Sequence, residues 1–212
     1  MNIKKIGHCC LLIKTNNITI LTDPGAYSTE QNSITGIDLV LITHEHSDHL
    51  HTDSVLEVMK NNPNALILTN SSVGKKLDEI SVQYTVVEGR STYDIKNTLI
   101  ENFDSKHEEI FGELGQVQNT GYFINNKLFY PGDSYCNPEK PIDVLALPVA
   151  GPWCRIKESI DYALLVKPRI AFPVHDGNLR RQNGITVRLP NIELPKIGIK
   201  FVALELGKQT EL

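Results

Sequence analysis

Residues 44–49 read HEHSDH and follow directly on the apolar run Leu39–Ile42 and Thr43. Three imidazoles and two carboxylates at the end of a buried strand require a fold that brings more polar partners to the same point. A merely polar loop explains them poorly, since H-x-H-x-D-H arises by chance in roughly one such sequence in a few thousand. Side chains alternate along an extended segment, so His44 and His46 can point to one side of the loop. After the turn, Asp48 and His49 can face a second position. Imidazole nitrogen and carboxylate oxygen suit Zn²⁺ and similar borderline metals, at about 2.0–2.2 Å. The segment therefore suits two metals, and two donors saturate neither.

The missing ligands have candidates. His107 follows the strand-like LIENFDSK, Asp133 lies in the turn YPGDS, and His175 lies in FPVHDG. They complete one set of His44, His46 and His107 and another of Asp48, His49 and His175. Asp133 is placed to offer one oxygen to each ion. Asp23, the HEHSDH loop, Asp133 and His175 all directly follow apolar strands, where a rigid frame holds side chains best.

The remaining texture is that of a mixed fold. CCLLIKT and ITILTD flank Asn16-Asn17, and TGYFI and KLFYPGD flank Asn125-Asn126, both hairpin signals. Helical spacing recurs around Asp53–Lys60, Val73–Ile80 and Ile156–Val166, the last ended by Pro168. Between them run the strands ALILT, QYTVV, Thr98–Phe103, DVLALPV and RIAFPV, with IKFVALEL as a final strand. Hairpins mixed with strand–helix–strand units predict an α+β chain of two sheets with helices outside. At 212 residues, with no repeat or linker, a single domain over 1–212 is expected.

A net charge of −4 gives no support to a nucleic-acid binder. No stretch has the length of a membrane span, and the start MNIKKIGHCC lacks the apolar core of a signal peptide, so a cytoplasmic protein is expected. Cys9, Cys10, Cys136 and Cys154 are spaced for neither a disulfide framework nor a zinc knuckle, and reduced thiols are the expectation. Oligomeric state is not legible.

The motif, the order of the later ligands and the early LTDP together resemble the metallo-β-lactamase superfamily, over Ile3 to about Gly177. GHCCLLIKT and the stretch from LPVAGPW to PVHDG are most similar to its compact stand-alone hydrolases, the ascorbate-6-phosphate lactonase-like and N-acylphosphatidylethanolamine phospholipase D-like groups. The resemblance implies a four-layer αββα sandwich and a site between the sheets at one edge. It implies Asp23 as a brace for the ligand loop. It also implies a hydrolase, with a metal-bound hydroxide attacking an ester, lactone or phosphodiester of a small molecule. Two divalent ions are expected, zinc first, with manganese or iron as alternatives. Asp48 would handle the proton of the nucleophile, and His8 would bind substrate or protonate the leaving group. Trp153 and Arg155, after a Gly-Pro turn, are candidates for the pocket wall; Arg155, Arg180 and Arg181 could attract an anion. Glu45 and His51 are read as non-ligands.

Departures narrow the class. An Asp at the bridging position argues against a true β-lactamase, and His46 stands where flavo-diiron proteins carry Glu. The tRNA-clamping insertion of ribonuclease Z is not found. A mononuclear iron oxidoreductase of the persulfide dioxygenase type and a non-catalytic metal-binding protein remain as other readings.

Overall fold

The computed structural model describes residues 1–180 and 184–212. The first sheet opens with an antiparallel meander of β1 (Asn2–Gly7), β2 (Cys10–Thr15) and β3 (Ile18–Thr22). Asn16 takes φ 47°, the left-handed conformation that the tight turn needs and that Asn tolerates. β4 (Leu39–Leu41), β5 (Leu66–Thr69) and β6 (Thr85–Val86) then add in parallel, with α1 (Thr52–Asn61) and α2 (Ser71–Glu79) as the crossovers. Asn70 caps α2, its side chain accepting from Val73 N–H.

The second sheet repeats this plan. β7 (Thr92–Ile95), β8 (Thr98–Lys106), β9 (Gln118–Ile124) and β10 (Leu128–Tyr130) form an antiparallel meander. β11 (Val144–Pro148), β12 (Ile170–Val174) and β13 (Lys200–Phe201) continue it in parallel. α3 (Ile156–Val166) and α4 (Ile185–Glu193) lie between those strands in sequence, and β14 (Gln209–Glu211) returns to pair with β1. Among the described residues each sheet has seven strands.

Burial explains the layering. Leu39 and Leu41 point into a core shared with Tyr122, Tyr130 and Phe172 of the other sheet, while Val40 and Ile42 pack on Val55, Val58, Val73 and Leu77 of α1 and α2. LVLI is thus apolar throughout because both of its faces are covered. Phe123, Phe129 and Leu145 meet Tyr162, Ala163 and Val166 of α3 and Val187 of α4 on the far side. The result is the expected αββα sandwich. Several expectations need correction. QYTVV contributes only the two residues of β6, and IKFVALEL only those of β13. The sequence reading missed α4, β7 and β14. Among the described residues no helix is long and apolar enough to cross a membrane.

Strand direction fixes where the site forms. β8 and β10 are both antiparallel to β9, and β11 and β12 run parallel to β10. The C-terminal ends of β8, β10 and β12 therefore share one edge, where they meet the C-terminal ends of β3 and β4.

Candidate metal centre

Four of those strand ends, β4, β8, β10 and β12, supply the candidate ligands, and the end of β3 supplies Asp23. The loop after β4 carries His44, His46, Asp48 and His49 and is turned by His49 N–H and Leu50 N–H donating to His46 O at 2.9 and 2.8 Å. Gly25, just past β3, lies under this loop; a Cβ there would sit 1.8 Å from Asp48 O. His107 follows β8, Asp133 follows β10, and His175 follows β12 with φ 61°. Gly132 at φ 66° makes the turn that delivers Asp133, where a Cβ would meet Asn119 Oδ1 at 2.3 Å.

The nitrogens of His44, His46 and His107 lie within 4.8 Å of one another. Beside them, Asp48 Oδ2 is 3.3 Å from His175 Nε2 and 3.8 Å from His49 Nε2. Asp133 stands between the groups. Its Oδ2 is 3.2 Å from His107 Nε2, 2.8 Å from His175 Nε2 and 3.9 Å from His44 Nε2, while Oδ1 is 3.2 Å from His49 Nε2.

The outer ring nitrogens fix the tautomers. Thr43 Oγ1 donates to Asp23 at 2.9 Å, so His44 Nδ1–H donates to Thr43 Oγ1 at 3.0 Å. His49 Nδ1–H donates to Asp23 Oδ2 at 2.7 Å and His107 Nδ1–H to Glu108 O at 2.6 Å. In all three the Nε2 lone pair faces inward. The Nε2 atoms of His44, His49 and His175 and Oδ1 of Asp133 are buried without a hydrogen-bond partner. Buried polar atoms rarely stay unpaired, and a cluster of them converging on one space fits a cation.

Charge follows the same division. Burial and the neighbouring histidines push His44 well below the ordinary imidazole range, and His46 is lowered for the same reasons. Burial opposes charge on His49 and His175, yet Asp133 lifts both well above it. Burial also opposes charge on Asp48 and Asp133, but the surrounding histidines keep both far below the usual carboxylate range. Two ionised carboxylates among imidazoles form a donor set for hard-to-borderline divalent metals.

Asp23 is completely buried and accepts from Thr43 N–H, Thr43 Oγ1–H, His49 Nδ1–H and Tyr130 O–H. His8 is buried too: Gly177 N–H donates to its Nδ1 at 3.0 Å, which leaves its proton on Nε2, 3.0 Å from Asp48 Oδ2. Burial pushes the His8 pKa down to about 4, so the ring is neutral at pH 7. Trp153 lines the cavity over the cluster and donates from Nε1 to Asp133 Oδ2 at 3.0 Å. Arg155 lies apart, lining an adjoining cavity and paired with Glu158 at the start of α3. Exposed Arg180 lines neither cavity, and Arg181 lies outside the described residues. Glu45 is half-buried; His51 turns away to Ser54 Oγ at 2.9 Å. Sequence reading missed Thr43, Asn119 and Tyr130. Each is a single polar group in or beside an apolar strand and leaves no periodic trace.

A family model for the beta-lactamase superfamily domain matches residues 2–175. The chain belongs to this superfamily. It is 30% identical over 182 residues to Rv0786c of Mycobacterium tuberculosis, covering 84% of each chain. It is 28% identical over 191 residues to the UPF0173 metal-dependent hydrolase NEQ378 of Nanoarchaeum equitans, covering 82% of this chain and 83% of the other. A candidate metal-dependent hydrolase from Parabacteroides distasonis superposes with TM-score 0.79 at 25% identity, over 96% of this chain and 92% of that one. The protein is a metal-dependent hydrolase of this superfamily.

Metal removal is therefore expected to destabilise the fold, since a ligand that binds only the native state contributes about 3 kcal/mol at a hundredfold excess over Kd. Thermal melts before and after chelation, and after adding zinc back, measure this. An unchanged Tm throughout would contradict it.

Proposed function

We propose that the centre holds two divalent cations, zinc in the first instance, and hydrolyses a small-molecule ester, lactone or phosphodiester. The carrying observation is Asp133, a buried carboxylate lying between two groups of inward-facing donors, one of its oxygens unpaired. His44, His46 and His107 would hold one ion, and Asp48, His49 and His175 the other, with Asp133 shared. Such a pair supplies Lewis acidity and a water acidified to a pKa of about 7.

The protein's own groups do the rest. Asp48, ionised and lining the cavity, accepts the proton of the attacking water. His8, whose Nδ1 accepts from Gly177 N–H, directs its Nε2 proton to Asp48 and so aims that carboxylate. Trp153 N–H and the Asn119 side chain, which accepts from Asp133 N–H at 3.1 Å, hold Asp133 from two sides. Asp23 fixes the His49 ring. Anchoring of this kind is what keeps a ligand set within the tolerance that catalysis needs.

Metal analysis tests this. The protein purified without added metal is expected to carry two equivalents of zinc or manganese, and His46→Ala to carry half or less. The loaded wild type is expected to cleave esters, lactones or phosphodiesters. One equivalent of iron, with oxygen uptake on a persulfide, would replace this reading with the dioxygenase one.

A further inference from the structure

The turn joining β1 to β2 reaches the metal centre. β2 is antiparallel to β3, so its first residue lies at the edge where β3 ends and delivers Asp23. His8 and Cys9 fill this turn, His8 with φ 50°. The turn is tied to its neighbours on both flanks. His8 O accepts from His175 N–H at 3.4 Å and His8 Nδ1 from Gly177 N–H at 3.0 Å, while Thr22 O–H donates to Cys9 O at 2.9 Å. It is thereby held to β3 and to the loop after β12.

Cys9 is a free thiol, 1% exposed. Its Sγ and ring nitrogens of His8, His49 and His175 lie within 4.8 Å of one another, the same spread that groups His44, His46 and His107. His8 drops out of this set, because its Nδ1 lone pair accepts from Gly177 and its Nε2 proton goes to Asp48. His49 and His175 stay in it, since the Nε2 of each is buried with no hydrogen-bond partner. Cys10 supplies the contrast. It belongs to the apolar cluster of Val40 and Val55 under α1 and, among the described residues, to no such group of donors. Asp48 lines the cavity, whereas Cys9 lies beneath it, in the core shared with Leu11, Leu41 and Tyr130. The thiol therefore meets the His49–His175 pair from the interior and the carboxylate meets it from the cavity side.

A sulfur donor changes which ion a position prefers. Thiolate selects zinc and other thiophilic ions, while imidazole and carboxylate alone serve zinc, manganese and iron. We infer that Cys9 is a ligand of the second cation, alongside Asp48, His49 and His175, and that its thiolate makes this position selective for zinc. This rests on the two-ion reading above and deepens it. On binding, the S–H bond breaks, its electron pair stays on sulfur to form the sulfur–metal bond, and the proton passes to water. Nothing is oxidised or reduced. The first position, with three imidazoles, has no such donor and stays the more permissive of the two.

Cobalt(II) reports sulfur ligation through a near-ultraviolet sulfur-to-metal charge-transfer band. The metal-free protein would be loaded with two equivalents of cobalt(II) and compared with two variants. One is Cys9→Ser; the other, Cys10→Ala/Cys136→Ala/Cys154→Ala, keeps Cys9 as the only thiol. The band is expected in the wild type and the triple variant, and is expected to be lost in Cys9→Ser. Zinc affinity is expected to fall by at least about tenfold in Cys9→Ser, no less than for loss of a group that merely orients a ligand. Manganese affinity is expected to change by less than about threefold, since manganese gains little from sulfur. An equal loss for both metals would show that Cys9 acts by packing alone and would overturn the assignment. Two bound cobalt ions without the band, or a band that survives Cys9→Ser, would overturn it and leave the two-ion reading intact. One bound ion whose band disappears in Cys9→Ser would remove the two-ion reading and keep Cys9 as a ligand. No bound ion, or a single one without the band, would remove both.

Discussion

Asp23→Asn is expected to lower divalent-metal affinity by about 10–100-fold, because residues that orient a ligand are worth nearly as much as the ligand. Asn fits the volume and tolerates the φ of 37° at this position, so the change isolates the carboxylate's charge and acceptor capacity. Four donors now converge on it: Thr43 N–H, Thr43 O–H, His49 Nδ1–H and Tyr130 O–H. Thr43 N–H donates to Oδ1 and the other three to Oδ2, so whichever way the amide turns, its NH₂ faces at least one buried donor and leaves it unpaired, costing about 1–3 kcal/mol. The His49 ring also loses the charged partner that holds its Nε2 inward. Metal titration and urea unfolding of the metal-free protein separate the two effects. Affinity within threefold of wild type would show that Asp23 does not act through His49.

Lys5→Met should be the most destabilising single change outside the ligand cluster. Lys5 is 3% exposed, and its Nζ donates to Asp176 Oδ1 at 2.6 Å and to Pro173 O at 2.9 Å. Removing one partner of a buried ion pair strands the other charge, which costs about 3–5 kcal/mol. Met keeps the length and apolar volume of the stem, so lost packing contributes little. The double variant Lys5→Met/Asp176→Leu removes both charges and is expected to recover much of the loss, since an apolar pair of similar size is often neutral. The same ammonium brackets Val174 and His175, and His175 holds a left-handed backbone that is unfavourable for a residue with a side chain. A second readout follows: metal held through His175 should be lost before metal held through His44, His46 and His107. Unfolding free energy within 1 kcal/mol of wild type would sink the argument.

What the sequence made legible was what has a local pattern. Asn16 and Asn125 announced their turns, the spacing of IKESIDYALLV reproduced α3, and LVLI announced a strand covered on both faces. HEHSDH pointed to metal because four donors in six residues have few other uses. The illegible parts depend on distant partners. α4 contains Pro190 and gave no clean helical pattern, and β14 exists only because β1 offers it an edge. Asn119 looks like any strand asparagine until Asp133 arrives beside it.

The donors grouped at one edge of the two sheets are scattered along the chain from Asp23 to His175. A ribosome delivers the HEHSDH segment long before the residues that complete either set exist. The nascent chain can offer a passing ion only a short, floppy chelate, with no brace behind it. On the proposed ligand set, full affinity waits until β12 docks and brings His175 to Asp133. On that ligand set, loading with metal would certify that both halves of the molecule have been made and have found each other.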